Sequence, residues 1–480
     1  MAEDTEAAPR FGLRPKIGLV LGPTLLVFVL LSSPPEGLSR QGWNVLGLAL
    51  LMATWWITEA IPIAATALVP LILIPLLGLG GINQAAAPYA DPVVFLLMGG
   101  MIIALAVERH GLHRRIALAI LRTASERPAG IVGGVMVAAA FMSMWVSNTS
   151  TVLLMFPIGV SIIQLVGKGR DEFGAALMLG IGYATLIGGL GTLVGTVPNA
   201  LTVAFLDQSF GARPSFLDWM KVGVPLSIVL LPVAWFILTR VAFRVPNGAI
   251  TGWHDEVRKE TQKLGLMSRA EISIAIVFLL TATLWVTLPF LSRIPGFLLD
   301  ETGIAIFGAL LTFLVPTNLR RGEFLLDWQT ALRVPWGLLI LFGGGLSLAA
   351  GIQRSGLAAW GAERLGGLGP FSLVLLMLIL AVVAVFASEI MSNTATAATL
   401  LPIAGALVLA LGRDAWYLAL PIAFAASCAF MMPVGTPSNA VVYGSGEFTL
   451  GKMARVGLLM NIVSIFVITI VVYAMVSVLR

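Results

Sequence analysis

The 480-residue chain is 58% hydrophobic and only 11% charged, with a strongly positive mean hydropathy. A soluble domain needs far more charge on its surface, so the composition excludes a water-soluble protein and implies a polytopic one embedded in a lipid bilayer. The formal net charge of +5 reports membrane orientation first, and nothing in the sequence supports nucleic acid binding.

The N-terminal stretch "MAEDTEAAPRFGLRPK" is too acidic and too long for an ordinary signal sequence, and no A-x-A-like site follows the apolar run from Ile17 to Leu31. That run is expected to be the first membrane helix. Further apolar spans follow at 42–57, 60–79, 93–108, 175–207, 220–243, 271–291, 301–316, 336–353, 416–446 and 454–478, giving about eleven transmembrane helices. Two more apolar segments, 129–166 and 371–411, are each about forty residues long and carry polar residues at their centres. They are expected to be re-entrant helical hairpins that enter and leave on the same side.

The basic residues test this topology. With the N-terminus cytoplasmic and the C-terminus outside, 21 of the 29 Lys and Arg fall on the inner side of the cell membrane. The asymmetry agrees with the positive-inside rule, and treating either hairpin as a single crossing would invert every later loop. The largest loop, within 246–270, mixes both charge signs with Gly and Pro and reads as a cytoplasmic linker between two halves. The single cysteine, Cys428, excludes an internal disulfide, and His110, His113 and His254 are scattered among charged loop residues, away from any zinc-like pattern.

The most informative feature is an internal repeat. The triplet Ser147-Asn148-Thr149 recurs 245 residues later as Ser392-Asn393-Thr394, and at the same offset Ser143 matches Ser388, Thr151 matches Thr396 and Pro157 matches Pro402. Upstream, Gly99, Gly100, Arg109 and Gly111 match Gly344, Gly345, Arg354 and Gly356. Downstream, "GTVPNA" at Gly195 pairs with "GTPSNA" at Gly435, the offset having slipped to 240. On the topology above the two copies are inverted in the membrane, a design recurrent in secondary transporters. Each triplet then lies at a hairpin tip, one entering from the cytoplasm and one from outside, so that both tips reach a common site.

At such a tip the helix breaks, which leaves orphan carbonyls on one side and orphan amides on the other. Ser, Asn and Thr suit both: Asn tolerates the break and hydroxyls cap the next helix. The second halves, starting near Thr149 and Thr394, each aim a partial positive charge at the centre and favour an anion. The carbonyl ends, with Ser143, Asn148 and the Gly195 loop in one repeat and Ser388, Asn393 and the Gly435 loop in the other, offer neutral oxygens suited to a small hard cation. No Lys or Arg lies in 129–166, 173–207, 371–411 or 415–446, so a bound cation would have to neutralise a dianion. Coupled binding of sodium and an anion is therefore chemically sensible, whereas a proton relay through the hairpins would rest on Glu389 alone.

Other readings are weaker. A lone Ser-Asn-Thr in an apolar helix is usually intrahelical bonding or helix–helix glue, but two copies in register favour a site. Asn148-Thr149-Ser150 fits a glycosylation acceptor, whereas the second copy, ending in Ala395, does not. "GGLGTLVGT" lacks the GxGxxG spacing of a nucleotide loop and reads as close helix packing, and Glu59 and Asp91 read as interfacial. No HExxH, GxSxG or buried His–carboxylate set supports an intramembrane enzyme.

The paired SNT hairpins, each followed by a G-T-x-P-N-like loop, together with "WWITEAIPIAATALVP" near the start, resemble the divalent anion/sodium symporter family of dicarboxylate, citrate and sulfate transporters. The resemblance implies an elevator-type homodimer without enzymatic activity. Its scaffold would be residues 1–122 and 271–365, and its transport domain residues 123–245 and 366–480. It places one sodium site (Na+) at Ser143, Asn148 and Gly195 and a second at Ser388, Asn393 and Gly435, with substrate carboxylates at Asn148, Thr149, Asn393, Thr394, Thr436 and Pro437. The expected substrate is a C4-dicarboxylate such as succinate. Thr436-Pro437-Ser438-Asn439 stands where many relatives carry T-P-P-N, and the family also includes sodium-independent exchangers; a channel would differ by its high turnover.

Overall fold

A computed structural model describes residues 12–166, 170–245, 248, 250, 252–365 and 372–479. Among the described residues it is almost entirely helical, with one two-stranded antiparallel ribbon pairing Pro316–Asn318 with Glu323–Phe324. Among the described residues, ten helices are long and apolar enough to cross a membrane. The Leu13–Leu31 helix buries only Gly18, Gly22 and Val29, the pattern of a span facing lipid, whereas Asp171–Gly189 is buried along nearly its whole length.

Both expected hairpins form. The first consists of Pro128–Ser143 and Asn148–Val166, the second of Leu373–Ile390 and Asn393–Leu411. The breaks share one cause. Ser147 Oγ accepts from Ser150 N (3.2 Å) and Ser392 Oγ from Ala395 N (3.2 Å), so each serine caps the helix that follows and satisfies one of its orphan amides.

The 175–207 and 416–446 spans are not continuous helices. The first divides into Arg170–Gly189 and Val197–Phe210, the second into Ala415–Ala426 and Pro437–Tyr443. In each, an extended threonine, Thr196 or Thr436, precedes a helix with proline in its first turn. Proline fits that turn because its missing N–H is needed by no carbonyl there, and it stops a helix arriving from the other side. The 60–79 span likewise divides into Ile63–Thr66 and Val69–Leu76, with Pro62, Pro70 and Pro75 punctuating it.

The repeat extends into packing. Gly111 (φ 70°) and Gly356 (φ 77°) adopt the left-handed conformation that ends a helix, and each starts a short helix, Leu112–Leu121 and Leu357–Leu365. Gly99 and Gly344 are both points of backbone contact: a Cβ on Gly99 would lie 2.7 Å from the Ala305 carbonyl, and one on Gly344 would strike the Ala67 carbonyl. Within the linker, Trp253–Lys263 forms a helix with Trp253 buried. It docks through Arg114–Glu260 (2.8 Å), while Arg115–Glu271 (2.9 Å) ties the same surface to the next span.

Candidate functional site

The two hairpin tips and the two loops that interrupt the broken helices meet in one cavity of about 500 Å³. Its wall contains both triplets, Ser147-Asn148-Thr149 and Ser392-Asn393-Thr394, and both loops, Gly195–Pro198 and Gly435–Ser438. The structure thus brings together Asn148, Thr149, Asn393, Thr394, Gly195, Gly435, Thr436 and Pro437. Ser143 and Ser388 are fully buried behind this surface.

The loops are held open by a pair of asparagines. Asn199 Nδ2 donates to the Gly189 (2.9 Å) and Thr192 (2.8 Å) carbonyls, and Asn439 Nδ2 donates to the Ala429 (2.8 Å) and Met432 (3.1 Å) carbonyls. Every partner matches at the 240-residue offset. Each amide spans the gap between two half-helices and satisfies carbonyls that the break would orphan. The sequence motif contains these asparagines, but motif reading alone does not separate a residue that shapes the loop from one that binds. Further ties secure the first loop, with Trp219 Nε1 donating to Leu190 O (3.1 Å) and Ser227 Oγ to Ile187 O (2.8 Å).

Around this frame several buried oxygens have no partner among the described residues. They form symmetric pairs, Thr151 Oγ1 with Thr396 Oγ1 and Asn199 Oδ1 with Asn439 Oδ1, and they include Asn393 Oδ1 and Ser438 Oγ. Leaving a buried acceptor unpaired costs about 1–3 kcal/mol, and oxygen ligation of a cation would remove that cost. In the first repeat Ser143 Oγ donates to Asn148 Oδ1 at 2.7 Å, so two of the oxygens expected around sodium are already adjacent. In the second, Ser388 Oγ turns away to Ala426 O (2.8 Å) and leaves Asn393 Oδ1 free. Neutral hydroxyl, amide and carbonyl oxygens suit a hard monovalent cation and not a transition metal. Among the described residues no group of three or more His, Cys, Asp or Glu could hold a metal ion.

Two charged residues to which no motif points also line the cavity: Glu108, near the end of Pro92–Arg109, and Arg333, just before Trp336–Arg354. They pair at 3.1 Å. Behind them Arg109 pairs with Asp327 (2.5 Å) and donates to Thr330 Oγ1 (3.2 Å), and His110 Nε2 meets Leu325 O at 2.7 Å. Hydrogen bonds from Thr330, with Arg109 beside it, hold the Asp327 carboxyl below the usual carboxylate range. Among the lining residues Arg333 is the sole Lys or Arg, and it comes from outside the segments whose lack of charge the sequence reveals.

Asp91 and Glu59 have structural work. Asp91 caps the Pro92–Arg109 helix by accepting from Val93 N (2.9 Å), and Glu59 ends the Arg40–Thr58 helix in a left-handed conformation (φ 51°). Glu389 accepts from Met431 N (2.9 Å), Met432 N (3.0 Å) and Asn461 Nδ2 (2.8 Å), which commits its carboxylate to shaping the second loop.

A family model described as "Sodium:sulfate symporter transmembrane region" matches residues 16–479. The chain belongs to the sodium:sulfate symporter family. Within it, the chain is 44% identical over 472 residues to a Staphylococcus saprophyticus protein named sodium-dependent dicarboxylate transporter SdcS, covering 96% of this chain and 91% of that one. It is 42% identical over 470 residues to the protein of the same name from Staphylococcus aureus strain USA300, covering 95% and 90%. Among solved structures, the YdaH transporter of Alcanivorax borkumensis superposes with a TM-score of 0.61 at 14% identity over 92% of this chain and 98% of that one. That likeness speaks to the fold of this sodium:sulfate symporter family member alone, a nearly all-helical membrane architecture.

Proposed function

We propose that this chain carries a small dicarboxylate, a four-carbon acid such as succinate, across the cell membrane together with sodium. One observation carries the reading: two sequence-matched hairpin tips and their two sequence-matched loops line one cavity, where Asn393 Oδ1 and Ser438 Oγ have no partner among the described residues. The relatives named sodium-dependent dicarboxylate transporters support the substrate class and the coupling ion. The cavity volume of about 500 Å³ falls within the roughly 300–1,000 Å³ of small-molecule sites.

In this reading one sodium ion sits at Ser143, Asn148 and Gly195 and a second at Ser388, Asn393 and Gly435. The anion lies between the N-termini of the Asn148 and Asn393 helices, its carboxylates meeting Asn148, Thr149, Asn393, Thr394, Thr436 and Pro437. Each helix end supplies roughly half a positive charge, which leaves a dianion incompletely balanced. The sodium ions complete the balance, so each charge lowers the cost of burying the other. Transport then moves residues 123–245 and 366–480 as an elevator against a scaffold of residues 1–122 and 271–365. The scaffold forms a homodimer, with the N-terminus cytoplasmic and the C-terminus outside.

The test is uptake of radiolabelled succinate into proteoliposomes of the purified protein, with an inward sodium gradient against choline and with or without internal succinate. Sodium-dependent uptake into empty vesicles is the expected result. Sodium-independent uptake confined to preloaded vesicles would assign exchange instead, and no uptake in either condition would overturn the substrate class.

A further inference from the structure

The Glu108–Arg333 pair has a neighbour that the second repeat lacks. Ser150 Oγ donates to Glu108 Oε2 at 3.0 Å, and Ser147 Oγ donates to Ser150 Oγ at 2.9 Å. A chain of hydrogen bonds therefore runs from the cap of the first hairpin helix, through Ser150, to a carboxylate that also holds Arg333. At the matching positions of the second repeat stand Ala395 and Gln353, and Gln353 Nε2 donates elsewhere, to Ser209 O (3.1 Å). The arrangement belongs to one side of the pseudosymmetric structure only.

Its geometry combines a firm base with a weak top. Arg109 and His110 fasten the Glu108 segment to residues 325–330, so the ledge itself is braced. The Glu108–Arg333 contact is the exposed part, with side-chain exposures of 27% and 60%. Ion pairs this open to solvent contribute little, and a carboxylate arriving from the cavity competes with Glu108 on nearly equal terms. Arg333 donates to Glu108 through one nitrogen only, Nη2 to Oε1, whereas a free carboxylate can take the guanidinium fork in the stronger bidentate way.

We propose that Arg333 binds a substrate carboxylate on the cavity wall and that Glu108, held from its other oxygen by Ser150, is the resident carboxylate it displaces. This rests on the dicarboxylate reading above. The ledge is then a specificity element for the anion's carboxylate.

The test is equilibrium binding of radiolabelled succinate to the purified full-length protein in saturating sodium. Arg333→Gln is expected to weaken binding about fivefold or more, and Arg333→Lys to recover most of that loss. Glu108→Gln, which removes the competitor, is expected to tighten binding about threefold. Opposite signs for the two neutralising variants are the signature, because a purely structural brace would weaken binding in both. Weakening in both, or no change in Arg333→Gln, overturns the proposal while leaving the dicarboxylate reading intact. Failure of the unaltered protein to bind succinate defeats that reading and this proposal together. Thermal unfolding and gel filtration of each variant identify any that fail to fold, in which case Arg333→Lys against Glu108→Gln carries the comparison.

Discussion

Met144 and Glu389 stand at equivalent positions of the two hairpins, and each ties its hairpin to the loop of the adjacent broken helix. In the first repeat the Thr192 hydroxyl donates to the Met144 carbonyl. In the second, the Glu389 side chain accepts from the backbone of Met432, the residue equivalent to Thr192, at 3.0 Å. The same two positions are joined with the side chain supplied from opposite ends, so the contact between hairpin and loop is common to both repeats while its chemistry differs.

That difference predicts unequal sensitivity. Glu389→Ala orphans the Met431 and Met432 amides and the Asn461 Nδ2 together, and should cost about 3 kcal/mol or more. Thr192→Val removes one hydrogen bond and should cost about 1 kcal/mol. Thermal unfolding in detergent should order the proteins as unaltered, then Thr192→Val, then Glu389→Ala; equal melting temperatures for the two variants would contradict the asymmetry.

Asn148→Ala and Asn393→Ala should both abolish sodium-dependent uptake while the protein stays folded. Asn393 Oδ1 has no hydrogen-bond partner among the described residues, so its loss removes none of their bonds and the melting temperature in the absence of substrate should hold. Asn148→Ala strands the Ser143 hydroxyl and should cost about 1 kcal/mol. Uptake near the unaltered level in both variants would remove the hairpin tips from the site.

Gly195→Ala should be worse than Gly435→Ala. A Cβ at 195 would collide with the Gly189 carbonyl across the loop, whereas one at 435 would meet the Ser388 carbonyl at 3.3 Å and the Ala429 Cβ at 3.4 Å. Overpacking of the first kind costs typically about 1–3 kcal/mol. Sodium activation of uptake should shift strongly for Gly195→Ala and only mildly for Gly435→Ala; the reverse order would show that the first loop has room to relax.

Monocarboxylates should compete poorly with succinate, because two helix N-termini lining one cavity match two carboxylates. Replacing sodium by choline should remove saturable succinate binding, since the buried dianion then lacks its counter-charges. Acetate competing as well as succinate, or binding that persists in choline, would count against this geometry.

The hydropathy pattern, the repeat and the hairpins were legible in the sequence because each follows from local rules. A span needs enough apolar residues to cross the hydrocarbon, a cap needs Ser or Thr at a break, and an inverted duplication leaves identical residues at a fixed offset. The triplets around Asn148 and Asn393 were found in this way, and both lie on the cavity wall. What local rules could not reveal was which continuous apolar runs are broken. Composition over 175–207 and 416–446 satisfies a membrane span whether or not Thr196 and Thr436 interrupt it, and only the asparagine bridges at 199 and 439 show how the gaps are held.

By itself the sequence determined the membrane setting, the twofold internal design and the identity of the tip residues, since these depend on composition, periodicity and self-similarity. Tertiary structure alone decided that Glu108 and Arg333, 225 positions apart, pair on the cavity wall and that Glu108 also takes the Ser150 hydroxyl. Charge scans of the hairpins and broken helices cannot see a cation supplied from a distant loop, because nothing in the neighbourhood of either residue encodes the other. Their pairing is a consequence of how the braced segments at 108–110 and 325–333 come together, and it exists only once the chain has folded.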